Sequence, residues 1–459
     1  MRRVLRENAL CALAAAAGCA ALAWLGLYGP AWNDYEVELG PAVEALNAGH
    51  LHAFLSLSPV YGGSLIERAP FALLPGLWGA GEPVVYRFLA IPCLLASALL
   101  GVWLLARMRA DRRPALARAV TLSLLVANPV TLRALELGHP EELLGASACV
   151  AAALLAGAPT VSRHRALAVG AVLGLAVANK QWALIAAGPV LLALPPARRL
   201  PAALCALAAA SVIEAPLLIG AAGSYATAAG TAAAPSTTVF QPWQVFWFFG
   251  HHGSLVHGLF GVQKPGYRIA PSWAGEISHP LILLAGLAIA AGLWRRTAGR
   301  RLPARTALLA LAVTLLARCV LDTWDTIYYL LPAILALTAW EAGGPRRRPP
   351  VLALGLTVLA WAQFQWLPGR VSPDAQSAIF LAWSLTLLGW LSFQLLAVTA
   401  SPRRARPAPA GPEQRPRLGV LESPQEITVR SFESPVRTSL PPSRTTVRSS
   451  MRTPSRPGR

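Results

Sequence analysis

Runs of about 17–25 apolar residues recur along most of this chain, and each is long enough to cross a roughly 30 Å hydrocarbon layer as a helix. Lipid offers no partner to an unpaired backbone group, so isolated strands cannot make such crossings. Only 13% of the 459 residues are charged and 55% are hydrophobic, against about 25% charged in a soluble domain. The predicted class is therefore all-α, a polytopic integral membrane protein. Hydropathy places about twelve transmembrane helices, near Ala9–Tyr28, Val84–Ala106, Ala119–Leu132, Leu143–Ala158, Ala166–Ala178, Trp182–Leu194, Leu200–Ala222, Pro280–Trp294, Ala307–Val320, Tyr329–Ala342, Val351–Trp366 and Ala378–Ala400.

Arginine placement orients these spans. The N-terminus (Arg2, Arg3, Arg6) and every second connection are basic, for example Arg107, Arg109, Arg112 and Arg113, then Arg198 and Arg199, then Arg346, Arg347 and Arg348. The positive-inside rule puts this set, and both termini, in the cytoplasm of a cell (inner or plasma) membrane. The opposite face receives most of the acids, seven of the eight histidines and two long loops, residues 29–83 and 223–278. The net charge of +19 then marks orientation and contact with anionic lipid, not nucleic acid. The first apolar run, about 20 residues long, exceeds a signal-peptide core and reads as a retained span. Residues 401–459, rich in Pro, Ser and Arg, have too few core formers to fold and are expected to be a disordered cytoplasmic tail. The six cysteines lie in apolar spans, as small buried hydrophobes.

Chemistry is then sought on the external face. Asp34-Tyr35-Glu36 follows the first span closely. A carboxylate just above a low-dielectric wall can serve as general base on a hydroxyl, with Asp34 first and Glu36 as the fallback. The Asp-x-Glu pair can also ligate a divalent cation, although no metal or other cofactor is favoured. Glu67 and Arg68 suggest a local ion pair. In NPVTLRALELGHPEE, Arg133 is a candidate for phosphate and His139 for a hydroxyl, while Glu141 and Glu142 read as acids favouring a helix start. Lys180, one of only two lysines, sits between two short spans and calls for an anionic partner. Trp243 and Trp247 suit either the membrane interface or stacking on a sugar. His251, His252 and His257 lack the further ligands of a zinc set. In RCVLDTWDTIYYLLP, Arg318 either pairs with Asp322 or holds phosphate, and Trp324 and Tyr328 are further substrate-contact candidates.

Taken in order, these pieces resemble the GT-C class of multispanning glycosyltransferases, within it the DUF2029-type family related to polyprenol-phosphate-mannose-dependent mannosyltransferases. The resemblance rests on Asp34 followed by AVEALNAGH, on RAPFALLP, on NPVTLRALELGHPEE, on NKQWALI and on DTWDTIYYLLP, and it covers Asn33–Pro332. RAPFALLP departs from the family's double proline, and His139 stands where Gln is common. The resemblance implies an inverting transfer of a hexose, mannose being the family's sugar, from a polyprenyl-phosphate donor to a glycan or glycolipid acceptor, with Asp34 as base. Lys180 takes the position of the family's lysine, and donor-phosphate contact by Lys180, Arg133 and Arg318 is the electrostatic expectation. Two rival readings are a transporter or flippase of lipid-linked sugars, which predicts midplane sites and repeats, and a non-catalytic membrane scaffold.

Overall fold

The computed structural model describes Gly18 and residues 34–233, 240–253, 256–257, 263–344 and 348–400. Apart from Gly18, the expected first span lies outside them, as does the basic tail. The described chain is almost wholly helical. Among the described residues, six helices are long and apolar enough to cross a membrane: Glu82–Ala110, Ala115–Glu136, Pro196–Gly220, Ser272–Arg296, Ala304–Leu321 and Pro373–Ala400. Shorter apolar helices run over Gln181–Leu192, Ile327–Ala342 and Val351–Trp366. The structure is thus that of a helical protein with several membrane-type helices.

Burial separates these helices into two kinds. Ala304–Leu321 is apolar on most of its surface and 83% of its apolar window is buried, whereas for Pro196–Gly220 the figure is 11%. A helix apolar on every side has to lie inside the protein or against lipid. Leu200, Leu204, Leu207, Val212 and Ile219 on the second helix are exposed, a stripe far too large for a face turned to water. Arg163–Asn179 packs closely on Pro196–Gly220, because Gly170 and Gly174 leave no side chain where the Ala202 and Ala206 carbonyls approach.

Residues 34–81 are not an open loop. Glycine and proline divide them into a π-turn, Tyr35–Leu39, followed by α1 (Gly40–Asn47), α2 (Leu51–Leu57) and α3 (Gly63–Gly76). Their apolar faces form a small core of their own, with Leu39, Val43, Phe54, Leu65 and Leu89 buried in it. The helix that follows, Glu82–Ala110, is α4. The span expected at Ala119–Leu132 breaks at Asn128 into α5 (Ala115–Val126) and α6 (Pro129–Glu136). Pro129 occupies the first turn of α6, and the Asn128 side chain accepts from the Val130 amide at 2.8 Å. After α6 the chain enters α7 (Glu141–Ala156) and α8 (Arg163–Asn179).

In the second long loop, two short antiparallel strand pairs are nested as one hairpin, His251–His252 with Arg268–Ile269 and, inside it, Val256–His257 with Gln263–Lys264. Asp374, in the first turn of Pro373–Ala400, accepts from Arg268 Nε and Nη2 and from Trp247 Nε1, each at 2.8 Å.

Candidate functional site

The site is assembled at the tight turn between α6 and α7. Gly138 has φ +92°, and a Cβ there would run into the Tyr35 backbone nitrogen. Only glycine lets the π-turn come this close. The Asp34 amide donates to the Leu137 carbonyl at 2.9 Å, and the Tyr86 hydroxyl of α4 donates to the Leu135 carbonyl. Asp34 and His139, 105 residues apart in sequence, are thereby held with Oδ2 and Nε2 3.0 Å from each other.

Behind His139 lies a buried ionic network. Its Nδ1 faces Glu141 Oε1 at 2.8 Å. Glu141 is also 3.0 Å from Lys180 Nζ and 3.5 Å from Arg68 Nη2. Glu142 is 3.3 Å from Lys180 Nζ and 3.6 Å from Arg318 Nη2. Both glutamates are 0% exposed. Burying ions costs several kcal/mol each, so such groups persist only with partners. Here three cations, Arg68, Lys180 and Arg318, enclose the two carboxylates.

Lys180 reaches the network because helix α8 stops at Asn179. Lys180 itself is extended (φ −155°, ψ 127°), and a 3₁₀ turn follows at Gln181–Ala186. The Asn179 side-chain amide Nδ2 donates to the Glu141 carbonyl at 2.8 Å and fixes the break. The ammonium is 4.3 Å from the centre of the Tyr61 ring, and the Arg318 guanidinium is 4.2 Å from the Tyr329 ring and 5.0 Å from Trp182. These aromatic faces add cation–π attraction in a dry setting. Burial works to discharge Lys180, and Glu141 and Glu142 outweigh it and hold the ammonium charged. Burial and Lys180 likewise push the His139 imidazole down, but the Glu141 charge and the hydrogen bonds to Asp34 and Glu141 prevail and raise it to about 9. At neutral pH both ring nitrogens therefore donate to carboxylates.

One side of this network is open. The Asp34 side chain is 44% exposed, against 4% for His139. Glu38, one helical turn from Asp34, accepts from the Tyr61 hydroxyl. Burial first, and then the nearby Glu38 charge, hold that phenol well above its ordinary range. The Tyr328 ring lies 4.4 Å from the His139 ring, centre to centre. A half-exposed carboxylate held by a buried imidazolium can orient and accept a proton from a hydroxyl.

Among the residues named from sequence, Asp34, His139, Lys180, Arg318 and Tyr328 come together here. Arg133 pairs with Glu136 along α6 and does not join the network. Trp324 is half-buried, its amide on Asp322 Oδ1 at 3.0 Å. Trp247 is buried against Phe240, with ring centres 5.3 Å apart, and Trp243 packs 4.4 Å from Phe364. Neither of these two rings has a hydrogen bond, ion pair or ring contact with the Asp34 group among the described residues.

Several local expectations give way. Arg68 does not pair with Glu67; adjacent residues on α3 point apart, and Arg68 turns to Ser64 and Glu141. Arg318 pairs with Glu142 rather than Asp322, because the helix ends at Leu321 and Asp322 is extended (ψ 122°). The Asp34-x-Glu36 pair is divided by the π-turn, which instead puts Asp34 and Glu38 beside His139.

Sequence reasoning missed Glu38, Tyr61 and Arg68, and it read Glu141 and Glu142 only as helix-start acids. A signal for the glutamates was available: adjacent acids between Pro140 and the apolar run LLGASACV, in a chain with few charges. Scanned against protein-family models, the chain matches none, and it has no match among curated proteins.

Proposed function

We propose that the chain is a membrane-embedded, inverting glycosyltransferase that moves a hexose from a polyprenyl-phosphate donor to a hydroxyl of a glycan or glycolipid acceptor at the external face. In this reading about twelve spans cross a cell membrane with both termini cytoplasmic. The observation that carries it is the half-exposed Asp34 carboxylate, held by buried His139 at the edge of an ionic network. Segments that arginine placement assigns to one face supply that network.

The acceptor oxygen attacks the anomeric carbon while Asp34 takes its proton. The bond from that carbon to the phosphate oxygen breaks, and the polyprenyl phosphate leaves with the electron pair. His139 is a positioning residue that sets the carboxylate's direction. Lys180, 9% exposed and tied to Glu141 and Glu142, acts on the leaving phosphate through its field. Arg318 is enclosed by Glu142, Trp182 and Tyr329, which fits a structural role.

The test is incubation of the purified full chain in lipid nanodiscs with radiolabelled polyprenyl-phosphate hexoses and short glycan acceptors. The reading expects donor label to move into acceptor. Label that crosses the bilayer of a proteoliposome still attached to polyprenyl phosphate would point to a transporter instead.

A further inference from the structure

We propose that Asp34, Glu38 and His139 form a binding site for one divalent cation of the manganese–zinc class. The inference is independent of the transferase reading, since its test measures binding alone.

One ligand atom from each of the three residues lies within 4.8 Å of the other two. Bonds of about 2.0–2.2 Å to a common ion put two ligand atoms at most about 4.4 Å apart, so small side-chain rotations close the set. The histidine is already prepared. Glu141 holds Nδ1 at 2.8 Å and turns Nε2 toward Asp34, the carboxylate–histidine arrangement that orients metal-bound imidazoles. Asp34 and Glu38 stand a helical turn apart on one face, and both are reachable from outside the protein. A cation therefore has an entry path.

The charge inventory admits a divalent cation. Arg68, Lys180, Arg318 and the His139 imidazolium are matched by four carboxylates, Asp34, Glu38, Glu141 and Glu142. A ligating imidazole is neutral and leaves one negative charge in excess, which a divalent cation turns positive. The cation takes the place of the proton shared by Nε2 and Asp34, and that proton is released. Asp34 binds through the oxygen facing His139 and keeps its second oxygen free. One imidazole with two carboxylates suits manganese or zinc better than magnesium, which prefers oxygen ligands throughout.

The experiment titrates Mn2+ into the purified full chain in nanodiscs of uncharged lipid and follows loss of the free-ion electron paramagnetic resonance signal, with Zn2+ as competitor. The proposal expects one Mn2+ per chain, displaced by Zn2+, and affinity weakened at least about tenfold in both Asp34→Asn and Glu38→Gln. Both changes are on the open side of the site, and unchanged melting temperatures would show that the fold is kept. Glu44→Gln, which removes an exposed acid from α1, keeps wild-type affinity. Failure of the wild-type protein to bind Mn2+ or Zn2+ stoichiometrically overturns the site. So does wild-type affinity in both ligand variants, or an equal loss in Glu44→Gln.

Discussion

Two charged groups hold distant parts of this chain together, and they differ in what keeps their charges balanced. Around Asp374, one carboxylate receives both arms of Arg268 and the Trp247 indole N–H, each at 2.8 Å, while Arg268 also donates to the Gly250 carbonyl. The donors and the acceptor are matched, and the result ties a hairpin and a buried tryptophan to the start of a long helix. Around Glu141 and Glu142 three cations are gathered, Asp34 and Glu38 add further negative charge at the open edge, and the His139 proton makes up the balance. A pair of fixed charges latches. A half-open group balanced by an exchangeable proton can trade that proton for a cation or pass its field to a substrate.

The largest effect on stability should come from removing the centre of the proton-balanced group. Lys180→Met leaves Glu141 and Glu142 short of one cation in a dry interior, and it should cost about 3–5 kcal/mol of stability. Adding Glu142→Gln to that variant should restore part of the loss, because the two changes act on one interaction. Chemical or thermal unfolding of the detergent-solubilised protein measures both variants and Glu142→Gln alone. A double-variant loss equal to the sum of the two single losses would mean that the pair is not coupled.

A smaller loss is expected at the latch. Asp374→Asn removes the charge that Arg268 grips and weakens the acceptor of the buried Trp247 N–H, for about 1–3 kcal/mol. Limited proteolysis should then cut the 251–270 hairpin region faster. If its protection is unchanged, the latch does not hold the hairpin.

A pH-dependent effect separates burial from pairing. Burial pushes the Glu67 carboxyl up to about 8 from its ordinary 4.5; Arg68 pulls it down and Glu214 pushes it further up. An acid raised in this way favours the folded state most fully below its unfolded value, and that contribution fades as pH rises through about 8. Glu67→Gln should therefore lose stability less steeply than wild type between about pH 5 and pH 9. Parallel melting-temperature profiles would count against a buried, protonated Glu67.

Much of this architecture is legible before any coordinates. Apolar runs and proline placement locate the long helices, because length and hydrophobicity alone decide whether a segment can span. Lys180 stands out because an Asn-Lys-Gln break between apolar runs needs an explanation. The joining of Asp34 to His139 is not legible. It depends on a glycine turn that brings the π-turn against α6, and on contacts 105 residues apart. The Asp-x-Glu spacing points to Glu36; in the helical segment the residue one turn on, Glu38, shares the face of Asp34. Glu141 and Glu142 look like ordinary helix-start acids until the inward direction of that helix is known. Trp243 and Trp247 were candidates by composition, and their surroundings, Phe364 for one and Phe240 with Asp374 for the other, come only from tertiary packing.

The central claim is that Asp34 is the base at the open edge of this network. It is tested most directly by comparing wild type with Asp34→Asn, at equal folded concentration in nanodiscs, for transfer of labelled hexose from polyprenyl phosphate to acceptor. The asparagine keeps the shape and a hydrogen-bonding oxygen for His139 but cannot take the proton. Transfer should fall by about 10²–10⁴-fold with the melting temperature nearly unchanged. Transfer by Asp34→Asn at the wild-type rate would contradict the account.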